Sequence, residues 1–182
     1  MERLVSREQS LSLYRKTYIV SRHPDARMHA AVVDAFRILR HVSEIYNDAL
    51  WIVSFSGGKD STCLLHVILS YVDEMVTKRS KSLPHEIVVI YNDTFLDPPI
   101  IREFALYVIK KINALSLDSD VRITGRVLNP LKDKDFWSFV LDKWYAPPTA
   151  IGRYPALWCT RELKIKPTLY FLRFCGKRNV VL

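Results

Sequence analysis

The chain has 182 residues, 49% of them hydrophobic and 25% charged, with a formal net charge of +8. It is long enough for one domain with a real core, and no apolar run approaches the ~18 residues a membrane span needs. The surplus of Lys and Arg favours polyanionic partners, nucleic acid or a nucleotide, while three cysteines are too few for a disulfide framework and the N-terminus lacks the apolar core of a signal peptide, so a cytoplasmic location is expected by default.

Residues 1–23 carry Ser6 and Gln9 at capping-box spacing, ahead of Leu11, Leu13 and Tyr14. Arg3, Arg7, Arg15, Lys16 and Arg22 make this the first basic cluster, which reads as a solvated face sooner than as a nucleic-acid arm. From Pro24 to about Asn47 the spacing predicts a helix, with Val32, Phe36, Leu39, Val42, Ile45 and Tyr46 on one stripe that should pack on a sheet. Residues 1–49 are thus expected to form a helical segment on the core, and 50–182 an α/β domain.

That domain opens with the apolar run Leu50 to Phe55, a buried strand, which stops at Ser56-Gly57-Gly58-Lys59-Asp60-Ser61. A helical pattern follows at once through Leu64, Leu65, Ile68, Leu69, Val72, Met75 and Val76, with Cys63 in its first turn read as a small buried hydrophobe. Strand, small-residue loop and helix present backbone N–H groups and a helix N-terminus to an anion. The glycines admit positive φ and close approach of an oxyanion, Lys59 adds a point charge, and Ser56, Ser61 and Thr62 add hydroxyls. Asp60 is out of place beside a bare anion and fits a nucleotide triphosphate with Mg²⁺, an ion usually held by one or two carboxylates and by phosphate oxygens. The spacing is not that of the common glycine-rich phosphate loop, which has four residues between its glycine and the Gly-Lys pair.

Glu86 to Tyr91 reads as a second buried strand, ending in the polar groups Asn92, Asp93 and Thr94 where α/β folds place ligands. Asp97-Pro98-Pro99 starts a helix whose apolar face is Ile100, Ile101, Phe104, Ala105, Val108, Ile109 and Ile112. Val121 to Leu128 is a third strand, so alternation predicts a mostly parallel sheet with helices on both faces. Phe136, Phe139, Val140 and Trp144 mark a short amphipathic helix from about Asp133. The stretch 144–167, rich in proline and tryptophan, reads as a long loop, a candidate binding element or lid. Asn179 to Leu182 reads as the start of a further strand, which leaves a C-terminally incomplete domain as one expectation.

The run Ser56 to Ser61 resembles the PP-motif of the ATP pyrophosphatase and phosphoadenylylsulfate (PAPS) reductase superfamily, whose PP-loop fold is of the adenine nucleotide alpha hydrolase type. Asn92 to Ile100 and Tyr145-Ala146-Pro147-Pro148 with Trp158 to Pro167 resemble, more narrowly, the DNA phosphorothioation DndC-like branch. The resemblance spans roughly residues 50–170 and implies roles. Ser56, Gly57, Gly58, Lys59, Asp60 and Ser61 would hold the phosphates of ATP, Asp60 would lie near Mg²⁺, and Asp93 and Thr94 would line the nucleotide site. Arg153, Arg161 and Lys164 would contact phosphates, and Cys159 would sit close to the chemistry, with Lys59, Asp60 and Cys159 as the catalytic set. The implied reaction is adenylation of a DNA phosphate oxygen with release of pyrophosphate, after which sulfur replaces that oxygen. The implied partners are DNA, a cysteine desulfurase or other sulfur donor, further DNA-modification proteins and a second copy of the chain in a homo-oligomer. The four-cysteine iron–sulfur cluster of that branch has too few ligands in Cys63, Cys159 and Cys175. A PAPS or adenylylsulfate reductase, a tRNA thiolase and a nucleotide-binding subunit inactive without partners are the other readings.

Overall fold

A computed structural model of the chain describes residues 26–79, 83–115, 121–145, 158–176 and 180–181. The N-terminal basic cluster, Arg153 and most of the proline-rich stretch therefore lie outside the described residues.

Four parallel strands form one sheet: β1 (Leu50–Phe55), β2 (Glu86–Asn92), β3 (Arg122–Leu128) and β4 (Val180–Val181), in the spatial order β3-β2-β1-β4. The central strands β1 and β2 are apolar along almost their whole length because both faces of the sheet are covered, as parallel sheets require. Period-two alternation divides their side chains. Trp51, Val53, Phe55, Ile87, Val89 and Tyr91 belong to one core, and Leu50, Ile52, Val88 and Ile90 to another.

Helices α2 (Lys59–Thr77) and α3 (Pro99–Leu115) return the chain between strands that step in one direction, so crossovers of one hand lay both on the same face. There α2 buries Leu65, Ile68, Tyr71, Val72 and Met75, and α3 buries Ala105, Ile109 and Ile112. The chain then crosses the opposite face to reach β4. That crossing carries α4, residues 158–174, whose Phe171 and Leu172 pack with Cys175 on the second core. Helix α1 (Ala26–Ile45) matches the expected stripe at Phe36, Leu39 and Val42. It meets α2 through an edge-on Phe36–Tyr71 ring pair at 5.8 Å and a Ser43–Tyr71 hydroxyl pair at 2.7 Å, while Ile45 and Tyr46 stay exposed.

Three expectations are corrected. Cys63 is exposed on α2, since the helix turns Leu65 and Ile68 inward and position 63 away from them. The segment 158–167 is helical, not loop: Trp158–Thr160 leads into a π-helical stretch, Arg161–Ile165, and then into Lys166–Phe174. Pro167 has no N–H to donate, and the widened turn absorbs that loss by letting the Lys166 N–H bond the Arg161 carbonyl, five residues back. Of the late aromatics, Trp158 is core, while Trp144 is 88% exposed. Trp158 is buried against Phe136 (5.7 Å, stacked), Phe139 (5.1 Å) and Tyr145 (5.8 Å), which fastens the segment after β3 onto the start of α4. The short helix there is a π-helical turn, Ser138–Asp142, and Asp135 caps its entry by accepting the Trp137 and Ser138 amides and the Ser138 hydroxyl.

Candidate functional site

The strand order reverses between β1 and β4, and open α/β sheets bind ligands at such a point, beyond the carboxyl ends of their strands. The loop Ser56–Ser61 leaves β1 there. Gly57 has φ +75°, and a Cβ built on it would lie 3.2 Å from both Ile101 Cγ2 and the Ile101 carbonyl oxygen. The glycine is therefore demanded by backbone conformation and by the close approach of α3, whereas a Cβ on Gly58 would make only an ordinary contact, 3.5 Å from Ser56 Oγ.

Hydroxyls then staple the loop. Ser61 Oγ accepts the Ser56 amide at 3.2 Å and lies 3.0 Å from Ser56 Oγ, and it donates to the Gly58 carbonyl at 3.0 Å. Thr62 Oγ1 donates to the same carbonyl at 2.8 Å. Among the described residues no side chain caps the first turn of α2, so its leading amides stay available to an anion. Lys59 and Asp60 are exposed at this turn and form no ion pair among the described residues.

Beside the loop, between the strand ends and α4, lies a cleft of about 500 Å³. That size suits a small-molecule ligand. Ser54, exposed in an otherwise buried strand, and Ser56 form one wall, Asn92 and Asp97 a second, and Lys164 with Thr168 a third. Thr168 Oγ1 accepts from Asn92 Nδ2 at 3.2 Å and donates to the Lys164 carbonyl at 2.9 Å, tying β2 to α4 across the cleft. Asp97 Oδ2 accepts the Tyr91 hydroxyl at 2.9 Å. Burial, then the hydrogen bond to Asp97 and its charge, push the Tyr91 phenol far above its ordinary range, so it stays a donor.

The structure thus brings Ser56 and Lys164 to one cleft, with the rest of the loop continuing from its rim. Asp93 is placed elsewhere. It is 1% exposed, its Oδ2 holds Nε and Nη2 of Arg102 at 2.8 Å, and its Oδ1 accepts the Phe95 amide at 3.1 Å. Its carboxylate braces the β2–α3 turn. Thr94 lines a second, smaller depression with Phe95, Lys132 and Trp137. Arg161 bonds Glu162 Oε1 at 3.1 Å, and Lys166 reaches Oε2 at 2.7 Å. Cys159 lies in the first turn of α4, and the lining of the cleft starts five residues later, at Lys164. Thr168 carries no motif of its own, and its bond to Asn92 at the end of β2 is what brings it to the cleft.

Among the described residues no group of three or more His, Cys, Asp or Glu converges on a metal position. The donor set fits an ion held by one or two carboxylates, of which Asp60 and Asp97 are available, together with a ligand's phosphate oxygens. It does not fit an iron–sulfur cluster: Cys63 is on α2, while Cys159 and Cys175 bracket α4, roughly 24 Å apart along a helix of that length. Among the described residues no helix is long and apolar enough to cross a membrane. Comparison with protein-family models, characterised proteins and solved structures finds no match to the chain.

Proposed function

We propose that this α/β chain is a PP-loop enzyme that binds ATP and uses it to adenylate a DNA backbone phosphate in preparation for sulfur transfer. The observation that carries the nucleotide reading is the placement of Ser56–Ser61 at the carboxyl end of β1, its first-turn amides uncapped and a cleft of about 500 Å³ beside it. The extension to DNA and sulfur rests on the resemblance of residues 92–100 and 158–167 to the DndC-like branch, and the net charge of +8 agrees with it.

In this reading the uncapped amides and Lys59 hold the triphosphate, and Lys164 meets it from the opposite wall. A phosphate oxygen of DNA attacks the α-phosphorus, the bond to the β-phosphate oxygen breaks, and pyrophosphate leaves with its charge held by Lys59 and the loop. Asp60 would hold Mg²⁺, which when bound would supply charge neutralisation to the triphosphate. The adenylated DNA oxygen can then leave as AMP when the terminal sulfur of a persulfide on a desulfurase-type partner attacks the DNA phosphorus. The phosphorothioate is freed when a second thiol attacks the carrier sulfur, breaking the S–S bond and forming a disulfide.

Exchange of radiolabelled pyrophosphate into ATP tests it. Exchange that needs both DNA and Mg²⁺, and that is lost in Lys59→Ala and Asp60→Ala, is the expected result. Nucleotide binding without exchange identifies a binding subunit that needs partners. Sulfite release from PAPS in the presence of thioredoxin identifies a reductase. Absence of any nucleotide binding ends the proposal.

A further inference from the structure

The cleft wall formed by Asp97 does not fit a site built for phosphate alone. A carboxylate facing a triphosphate is repulsive, yet Asp97 is half-buried at the cleft and held by the Tyr91 hydroxyl. That bond occupies Oδ2, and among the described residues Oδ1 has no hydrogen-bond partner. Tyr91 is itself 1% exposed and anchored in the sheet, so the carboxylate is oriented before any ligand arrives. An acceptor-only oxygen at the wall of a nucleotide cleft can take a cation or a neutral donor, and with Mg²⁺ assigned to Asp60 in the loop the neutral donor is the role left for Asp97. A ribose supplies two, its vicinal hydroxyls.

We propose that Asp97 is the ribose-reading residue of the cleft, accepting hydrogen bonds from the 2′- and 3′-hydroxyls of a ribonucleoside triphosphate whose phosphates lie on Ser56–Ser61. The inference rests on the nucleotide reading above and adds to it the sugar selectivity and the group responsible. Acidic side chains serve dinucleotide-binding sheets in the same way, for the same chemical reason: a carboxylate accepts from both hydroxyls of a diol and a backbone carbonyl does so less strongly. The polar neighbours agree. Ser54 and Asn92 supply uncharged donors and acceptors on the nucleoside side, and the cation Lys164 stands with Thr168 on a separate wall. The positioning group is Tyr91, whose raised pKa keeps its proton on the bond to Asp97.

Equilibrium binding of ATP, 2′-deoxyATP, 3′-deoxyATP and 2′,3′-dideoxyATP to the full chain with Mg²⁺ tests the assignment. Wild type should bind ATP at least about tenfold more tightly than the dideoxy nucleotide, as expected for hydrogen bonds to a charged acceptor. Asp97→Ala should bring the two affinities together by weakening ATP and leaving the dideoxy nucleotide unchanged. Asp97→Asn, which keeps the side-chain shape and so guards against a folding defect, should lose most of the same ratio. Tyr91→Phe should lose part of it. An unchanged ATP-to-dideoxyATP ratio in Asp97→Ala and Asp97→Asn overturns the proposal, as does an altered Mg²⁺ requirement with that ratio intact. A wild type that binds all four nucleotides equally overturns it while the nucleotide site stands, and a wild type that binds none of them removes the underlying reading as well.

Discussion

Gly57 leaves no room for a side chain beside Ile101: a methyl group added at Gly57 would fall 3.2 Å from the Ile101 carbonyl oxygen and 3.4 Å from Ala105 Cβ. The close fit couples the loop after β1 to the first turn of α3. Gly57→Ala therefore carries two costs, the left-handed φ of +75° and the displacement of α3. The expected loss is about 1–3 kcal/mol, read from chemical denaturation, with weaker ATP binding because the loop amides turn with the backbone. Gly58→Ala is the control. Its φ of −77° is ordinary and its nearest neighbour, Ser56 Oγ, is 3.5 Å away, so stability should change by less than about 1 kcal/mol while binding falls if phosphate approaches there.

Lys164 and Lys166 are close in sequence and differ in employment. Lys164 lines the cleft, whereas Lys166 is tied to Glu162 Oε2 at 2.7 Å. Lys164→Ala should weaken ATP binding roughly tenfold, the order of one charge-assisted contact, with little change in the unfolding midpoint. Lys166→Ala should do the reverse. Calorimetric titration and thermal unfolding of both variants separate the roles, and equal effects on ATP affinity would refute the assignment of Lys164 to the cleft.

Much of this site was legible in the sequence because strong local signals agreed. Leu50–Phe55 and Glu86–Asn92 are nearly continuous apolar runs, so buried strands were the consistent reading, and the loop after β1 announced itself by two glycines between hydroxyls and a lysine. What failed was decided by parity and by tertiary context. Asn92, the last residue of β2, faces the cleft, and Asp93 turns back to Arg102. Sequence order cannot tell which of two adjacent polar residues follows the pleat. Pro167 closes the stretch read as a loop, but the π-helical turn before it supplies an alternative acceptor pattern that proline tolerates. Within the tryptophan-rich segment Trp158 packs on Phe136, Phe139 and Tyr145, a burial set by partners distant in sequence.

Glu162 gives a pH-dependent term to stability. It is 3% exposed, and while burial alone would raise its pKa, the hydrogen bonds and charges of Lys166 and Arg161 outweigh burial and hold it below the ordinary value of 4.5. A carboxyl with a lowered folded pKa stabilises the fold fully above its unfolded value and loses that contribution as pH falls through the folded value. Glu162→Gln should therefore destabilise the protein at neutral pH by about 1–3 kcal/mol, since two cations lose a charged acceptor. The gap between wild type and variant should close as pH is lowered from about 4.5 downward. Urea melts at pH 7 and at successively lower pH measure it, and a gap that stays constant would show that Glu162 acts by shape alone.

Asn113 protects the open edge of the sheet. Among the described residues strand β3 pairs only with β2, which leaves its outer edge without a strand partner there, and at Gly125 a side chain of α3 supplies one. Asn113 Oδ1 accepts the Gly125 amide at 2.7 Å, and Nδ2 donates to the Gly125 carbonyl at 3.1 Å, so one amide group mimics a neighbouring strand. Gly125 makes this possible, because a Cβ there would sit 2.8 Å from Ile109 Cγ2 and force α3 away. Asn113→Ala should cost about 1–3 kcal/mol and expose an edge able to pair with another chain. Asn113→Asp keeps the acceptor but sets a negative oxygen against the Gly125 carbonyl, so it should be at least as destabilising as alanine at neutral pH. Thermal unfolding with light scattering reads both effects together: a lower midpoint accompanied by earlier scattering in both variants is expected. An aspartate variant as stable as wild type would show that the donor half of the clasp contributes nothing.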